Sequence, residues 1–183
     1  MSENINLYSK EGLEFIKIKD NNYKLSFSIE NNKIILSKII DFNLLKLIYE
    51  LNSDIYEKSD LFIINENEAT LNLLIKNLFE DIGLPQRFSY IHIKKKISEN
   101  TISFTSQSIR ADRPEGMPKD VKLLPIQNMD CNCIINDPHK INFFCNIIFD
   151  DDIFIPPVAE KIVGLILFKI FKRLKQFIDN VII

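Results

Sequence analysis

The sequence predicts an α+β fold in which an antiparallel sheet packs against a long C-terminal helix. Three observations carry that prediction. Apolar and polar residues alternate with period two in several stretches, most clearly where Tyr23, Leu25, Phe27 and Ile29 are set against Lys24, Ser26 and Ser28, the signature of a half-buried strand. From Pro157 to Ile183 the apolar residues Val163, Ile166, Leu167, Ile170, Phe171, Leu174, Phe177, Ile178 and Val181 recur every three or four positions, as on one face of an α-helix. Short polar clusters such as Ser98-Glu99-Asn100 and Asn136-Asp137-Pro138-His139 separate the alternating stretches and read as turns between strands.

The totals agree with a folded chain. Its 183 residues are 46% hydrophobic, enough for one domain or two small lobes with a proper core. A formal net charge of -2 leaves no general field for polyanions, although a local basic face is compatible with it. Cys131, Cys133 and Cys145 are an odd number in a chain without a leading apolar signal segment, which points to free thiols in an intracellular, reducing compartment. Gly is scarce, Trp is absent, and Ile, Asn and Lys abound, the codon bias of an AT-rich genome.

Taken in order, residues 1–12 are polar and are expected to be frayed or lightly docked. Leu13 to Lys19 and Tyr23 to Ile29 read as strands. Glu30-Asn31-Asn32-Lys33 then reads as a hairpin turn into a third strand, Ile34 to Ile40. Asp41 suits the N-cap of a helix carrying Phe42, Leu45, Ile48 and Tyr49. The polar stretch Ser53 to Asp60 divides the chain into a small unit, 1–58, and a main α+β unit, 59–183, unless the two are continuous.

From Leu61 the predicted order is strand, helix, four strands, helix. Leu61 to Ile64 is the first strand, and Thr70 to Ile82 the helix, with Leu71, Leu74, Ile75, Leu78 and Phe79 inward. Gly83 and Pro85 end that helix. Phe88 to Ile97 and Thr101 to Ile109 form the next two strands, and Arg110 to Asp120, with its prolines and Gly116, is a loop. Strands within Val121 to Asn136 and Ile141 to Phe149 complete the sheet. Phe144 and Ile148 make the last strand apolar on both faces, so it belongs centrally or under cover.

Pro157 suits the first turn of the final helix, and Glu160 the positive end of its dipole. At 1.5 Å per residue, about 25 residues span about 37 Å, enough to cross a small sheet. Its second half keeps one apolar stripe, whereas Leu165 and Phe168 make the segment from Ile162 to Phe171 apolar nearly all round. Such a segment calls for cover on two sides, from the same chain, a partner, a ligand cavity or a membrane surface. Lys161, Lys169 and Lys172 interrupt it well short of the roughly 20 apolar residues of a membrane span. Leu165, Phe168 and Lys172 are the candidate interaction face.

Candidate chemistry is sparse. Cys131, Cys133, His139 and Cys145 are zinc-type ligands, but CxC on a strand, followed by ligands in or beyond the next turn, matches buried structural thiols better than a metal site. Asp150-Asp151-Asp152 lacks the spacing of a calcium loop and reads as a solvated connection. His92 and His139 lie in no nucleophile motif, and neither a phosphate-cradling glycine loop nor a paired-carboxylate pattern is present. No cofactor and no metal are expected. Arg87, Phe88, Lys94, Lys95, Lys96 and Phe104 form the one cluster of basic and aromatic residues, a combination that neutralises phosphates and stacks on bases. The same lysines also suit a charged edge strand that discourages aggregation.

Three resemblances follow from particular residues. Pro85-Gln86-Arg87-Phe88 before a strand, with Thr101-Ile102-Ser103-Phe104-Thr105-Ser106 after the next turn, resembles a lobe of the TATA-box-binding protein, and the element order from Leu61 is similar. That resemblance implies DNA contact through Phe88 and Phe104. Phe62-Ile63-Ile64-Asn65-Glu66 with Thr70-Leu71 is similar to the small assembly-platform subunit of cellular RNA polymerases. An antiparallel sheet gripping a long C-terminal helix also resembles the START-like lipid-binding fold, which implies a cavity lined by the apolar half of the helix. The leading expectation is a non-enzymatic protein-interaction or structural assembly module with a protein partner or self-association. Nucleic-acid binding and hydrophobic-ligand binding are the alternatives.

Overall fold

The computed structural model describes residues 4–109 and 117–181. The described residues form ten strands and two α-helices: β1 (Ile5–Lys10), β2 (Leu13–Lys19), β3 (Asn22–Glu30), α1 (Phe42–Glu50), β4 (Tyr56–Asn65), β5 (Glu68–Ile75), β6 (Arg87–Ser98), β7 (Thr101–Ser108), β8 (Lys122–Leu123), β9 (Ile126–Asp137), β10 (Lys140–Phe149) and α2 (Pro157–Asn180). One sheet runs β1-β2-β3-β10-β9-β7-β6-β5-β4, antiparallel along its whole path, and β8 adds a short parallel pairing to the start of β6. The expected architecture, an antiparallel sheet packed on a long C-terminal helix, is the one observed.

Strand alternation sorts the side chains. One face carries Leu13, Phe15, Tyr23, Leu25, Ile29, Ile102, Cys133, Ile141 and Cys145, the buried core on which both helices lie. The opposite face is largely polar, with Ser28 donating to Asn142 and Ser103 to Asn132 across neighbouring strands. β10 is central, between β3 and β9, and Phe144 on its polar face lies under the Lys24 ammonium, 5.6 Å from the ring centroid.

α1 begins as expected, with Asp41 Oδ1 accepting from the backbone N–H groups of Asn43 and Leu44, both at 2.9 Å. Its Phe42 meets the Phe104 ring edge-on at 5.9 Å. α2 anchors through its C-terminal half, where Phe171, Leu174 and Ile178 are buried and Phe171 lies 4.6 Å from the Phe27 ring. Each such side chain contributes about 1.5–3 kcal/mol on burial.

Four expectations need correction. Residues 5–10 are not frayed: β1 pairs with β2 through a turn in which Glu11 and Gly12 take φ of 51° and 84°. Ile34 to Ile40 is not a strand, because β10 occupies the edge of β3 where it would have paired. Ile34, Leu36 and Ile40 are buried in an irregular segment holding one short 3₁₀ turn, Leu36–Lys38. Thr70 to Ile82 is not a helix, so the predicted helix after the Leu61 strand is absent. Ala69, Leu71 and Leu73 point inward with period two in β5, which is paired on both sides, by β4 and β6. Leu71, Leu74, Ile75 and Leu78 fit a helical period equally well, so periodicity could not arbitrate. Gly83 does take the left-handed conformation, φ 73°, but closes a 3₁₀ turn at Glu80–Ile82. Finally, the strand expected near Leu61 begins at Tyr56. Of the loop Arg110 to Asp120, residues 110–116 lie outside the described residues.

Candidate ligand-binding cavity

Pro156 and Pro157 start α2 without a side-chain cap and set its entry direction. Asn21, in the β2–β3 turn at φ 57°, fixes the preceding chain by donating from Nδ2 to the carbonyls of Asp150 and Ile153, each at 3.0 Å. Just past the middle of α2, the Arg173 guanidinium donates to Asn52 Oδ1 at 2.8 Å and, with Lys169, pairs with Asp54. Those two cations hold the Asp54 carboxyl well below the usual carboxylate range. The entry to α2 and its Lys169–Arg173 turn are thus both tied down, and within its N-terminal half Gly164 lies close against Tyr8 and Phe15 of the sheet.

The space beneath that half is a cavity of about 240 Å³. Val163, Ile166, Leu167 and Ile170 form its roof, Phe15, Tyr23 and Phe149 one wall, and Tyr56, Ile75, Leu78, Phe79 and Leu84 the other. Leu78 and Phe154, at 38% and 75% exposure, bring apolar surface to its opening. The lining is overwhelmingly apolar, with a few polar groups set into it, the composition usual for sites that take small organic ligands. Burial raises the Tyr56 phenol to about 12, so at neutral pH it is an uncharged part of this wall.

Glu160 is a charged group buried in that lining, at 4% exposure. It sits three residues before Val163 and seven before Leu167, on the inward stripe of α2. Its Oε1 accepts from Tyr23 Oη at 2.7 Å and pairs with Lys17 Nζ at 3.0 Å. Burial, and then that carboxylate, push the Tyr23 phenol far above its ordinary value. Arg87 also lines the cavity, donating to the Leu123 carbonyl at 3.0 Å, and burial lowers its affinity for its proton.

No family model and no curated relative matches the chain. Solved structures do. The human StarD13 (DLC2) lipid transfer and protein localization domain superposes with a TM-score of 0.67 at 11% identity, over 99% of this chain and 91% of that one. A STAR-related lipid transfer protein from Xanthomonas axonopodis gives 0.65 at 12% identity, over 93% and 96% of the two chains. Human STARD10 gives 0.62 at 12%, over 93% and 71%. The fold is START-like.

Within this START-like frame the TATA-box-binding-protein lobe is not supported, because the helix on which its element order rested is strand β5. Phe62 to Ile64 and Thr70-Leu71, the basis of the polymerase-subunit likeness, are the two arms of the β4–β5 hairpin.

The basic and aromatic cluster is not brought together. Phe88 is 2% exposed and packs with Leu74 and Val121. Lys94 and Lys96 are exposed on the polar face, while Lys95 projects to the other, 5.4 Å from the Phe42 ring centroid. Phe104 packs inward on Phe42, and Arg87 faces the cavity. Period two puts successive strand residues on opposite sides of a sheet, which separates what the sequence places side by side.

On α2, Leu165 is exposed at 54% and Lys172 is exposed, whereas Phe168 packs against the Tyr8 ring at 5.6 Å and takes the Lys10 ammonium on its face. Cys131 and Cys145 oppose each other across β9 and β10 with their sulfurs 2.6 Å apart, and Cys133 lies in the same core. The neighbouring Cys145 thiol and burial push the Cys131 thiol up, and burial takes Cys133 to about 12, so Cys131 and Cys133 are protonated at neutral pH. His139 Nδ1 lies 2.7 Å from the Ile34 carbonyl oxygen, in the turn before β10.

Sequence reasoning missed Tyr23, Lys17 and Glu160 as a site. Glu160 was assigned to the helix dipole. The available signal was its position on the inward stripe, where a carboxylate needs partners. Among the described residues no helix is long and apolar enough to cross a membrane, and no three His, Cys, Asp or Glu side chains are grouped to hold a metal ion.

Proposed function

We propose that the chain is a hydrophobic-ligand or lipid-binding protein of START-like fold. The observation that carries this reading is the apolar cavity of about 240 Å³ between the N-terminal half of α2 and the sheet. The similarity to structures described as lipid transfer domains supports it. The cavity is larger than the engineered voids of about 150 Å³ that take benzene and lies just below the roughly 300–1,000 Å³ of typical ligand pockets, so a small or slender apolar molecule fits best. Burying such a molecule gains about 25 cal/mol for each Å² of apolar surface removed from water.

The test uses the purified chain in two ways. Nile red, an uncharged apolar dye, should bind saturably with increased emission, and an organic-solvent extract should release a lipid-like molecule on mass spectrometry. A dye signal unchanged by the protein, together with an empty extract, overturns the proposal.

A further inference from the structure

Away from the cavity, the middle of the sheet holds a matched pair of thiols. Cys131 of β9 and Cys145 of β10 are direct partners in the antiparallel register, and both side chains belong to the inward face. Opposed residues in such a ladder have Cα atoms about 4.5–5.5 Å apart, inside the roughly 4.4–6.8 Å that a disulfide spans. The two sulfurs already meet, at 2.6 Å, with both cysteines free. Neither residue lines the cavity.

The third cysteine is placed differently. Cys133 is opposed by Phe143 on β10 and Ile102 on β7, so it faces no thiol across either ladder. Exposure also differs within the matched pair, because Cys145 is buried at 3% whereas Cys131 is half-buried. A small oxidant therefore reaches Cys131 first, and Cys145 is the thiol beside it.

We propose that Cys131 and Cys145 form a redox-dependent cross-strand disulfide that locks β9 to β10, with peroxide as the oxidant. The Cys131 sulfur takes one oxygen from hydrogen peroxide as the O–O bond breaks, giving a sulfenic acid and one water. The Cys145 sulfur then attacks that sulfur; the S–S bond forms, the S–O bond breaks, and the hydroxyl leaves with the Cys145 proton as a second water. The two thiols lose two electrons and the peroxide gains them. Cys131 holds its proton firmly, because the neighbouring thiol and burial push it up, so the first step is slow and the bond is a lasting lock rather than a fast sensor.

The test incubates the purified chain with hydrogen peroxide, alkylates it under denaturing conditions and digests it with trypsin, which cuts after Lys140 and so separates the two cysteines. The expected product is a pair of peptides linked through Cys131 and Cys145 and released by dithiothreitol, with Cys133 alkylated. Closing a loop of about 15 residues should raise the thermal midpoint by about 6–12 °C over the reduced protein. Cys133→Ala should keep both the link and the rise. Cys145→Ala should abolish both and let Cys131 run on to the sulfinic acid, which dithiothreitol does not reverse.

Cysteines recovered from the unmodified protein as thiols or as sulfinic acids overturn the proposal. So does a link through Cys133, or a Cys131–Cys145 link that leaves the midpoint unraised. Circular dichroism establishes folding of both variants, and if Cys145→Ala does not fold, the peptide map and midpoint of the unmodified protein still decide.

Discussion

The two halves of α2 have similar apolar content and opposite roles. In the C-terminal half, Phe171, Leu174 and Ile178 are buried against the sheet, where the Phe171 ring lies tilted on Phe27 at 4.6 Å and Phe27 stacks on Phe143 at 4.5 Å. In the N-terminal half, Val163, Ile166, Leu167 and Ile170 face a cavity. One helix thus seals the sheet at one end and roofs a space at the other. The difference teaches that apolar periodicity reports which face turns inward, and does not report whether anything is there to meet it.

The comparison breaks most visibly on stability. Phe171→Ala removes a ring from the packed end and should cost about 3–5 kcal/mol in urea unfolding; a loss under about 1 kcal/mol would mean that this end is loosely packed as well. Ile166→Trp sharpens the contrast from the other side. Filling the roof should leave urea stability within about 1.5 kcal/mol of the parent, as a volume change absorbed by existing space does. It should also weaken Nile red binding at least about tenfold, and unchanged binding would place the dye elsewhere.

A third variant probes the border between the halves. A Cβ at Gly164 would lie 2.7 Å from Tyr8 Cβ, too close for either atom to stay in place. Gly164→Ala should therefore destabilise by about 1–3 kcal/mol from overpacking, less the gain of up to about 1 kcal/mol in helix propensity. A net gain would show that β1 yields.

The smallest effect concerns the pin at Asp54. Its folded-state value is depressed by Arg173 and Lys169, so the stability it supplies is present above the unfolded value of about 3.9 and is lost as pH falls through the folded one. With the side chain 44% exposed, solvent screening keeps that contribution under about 1 kcal/mol. Asp54→Asn should remove this part of the acid dependence, and an unchanged pH profile would assign the acid sensitivity to other carboxylates.

Much of the architecture was legible. The α2 stripe, the alternation in β3, β6, β7 and β10, and the Asp41 cap each follow from spacing alone, because those patterns are imposed by local geometry. The site was legible in part. Leu165 and Phe168 marked the unusual half of α2, but the sequence assigned them to docking, whereas the cavity is lined by their neighbours Val163, Ile166, Leu167 and Ile170. The basic and aromatic cluster looked like a site because six residues lie close in sequence, and the pleat distributes them over two faces.

By itself, the sequence determined that a period-two sheet would pack on one long helix, since burying both apolar faces requires it. Tertiary structure decided the rest. Residues 70–75 became strand because β4 and β6 were present on either side to pair with them. Residues 34–40 are not a strand because β10 holds the edge of β3 with which they would have paired. The cavity is a gap between α2 and the sheet, and a gap between elements leaves no pattern in either of them.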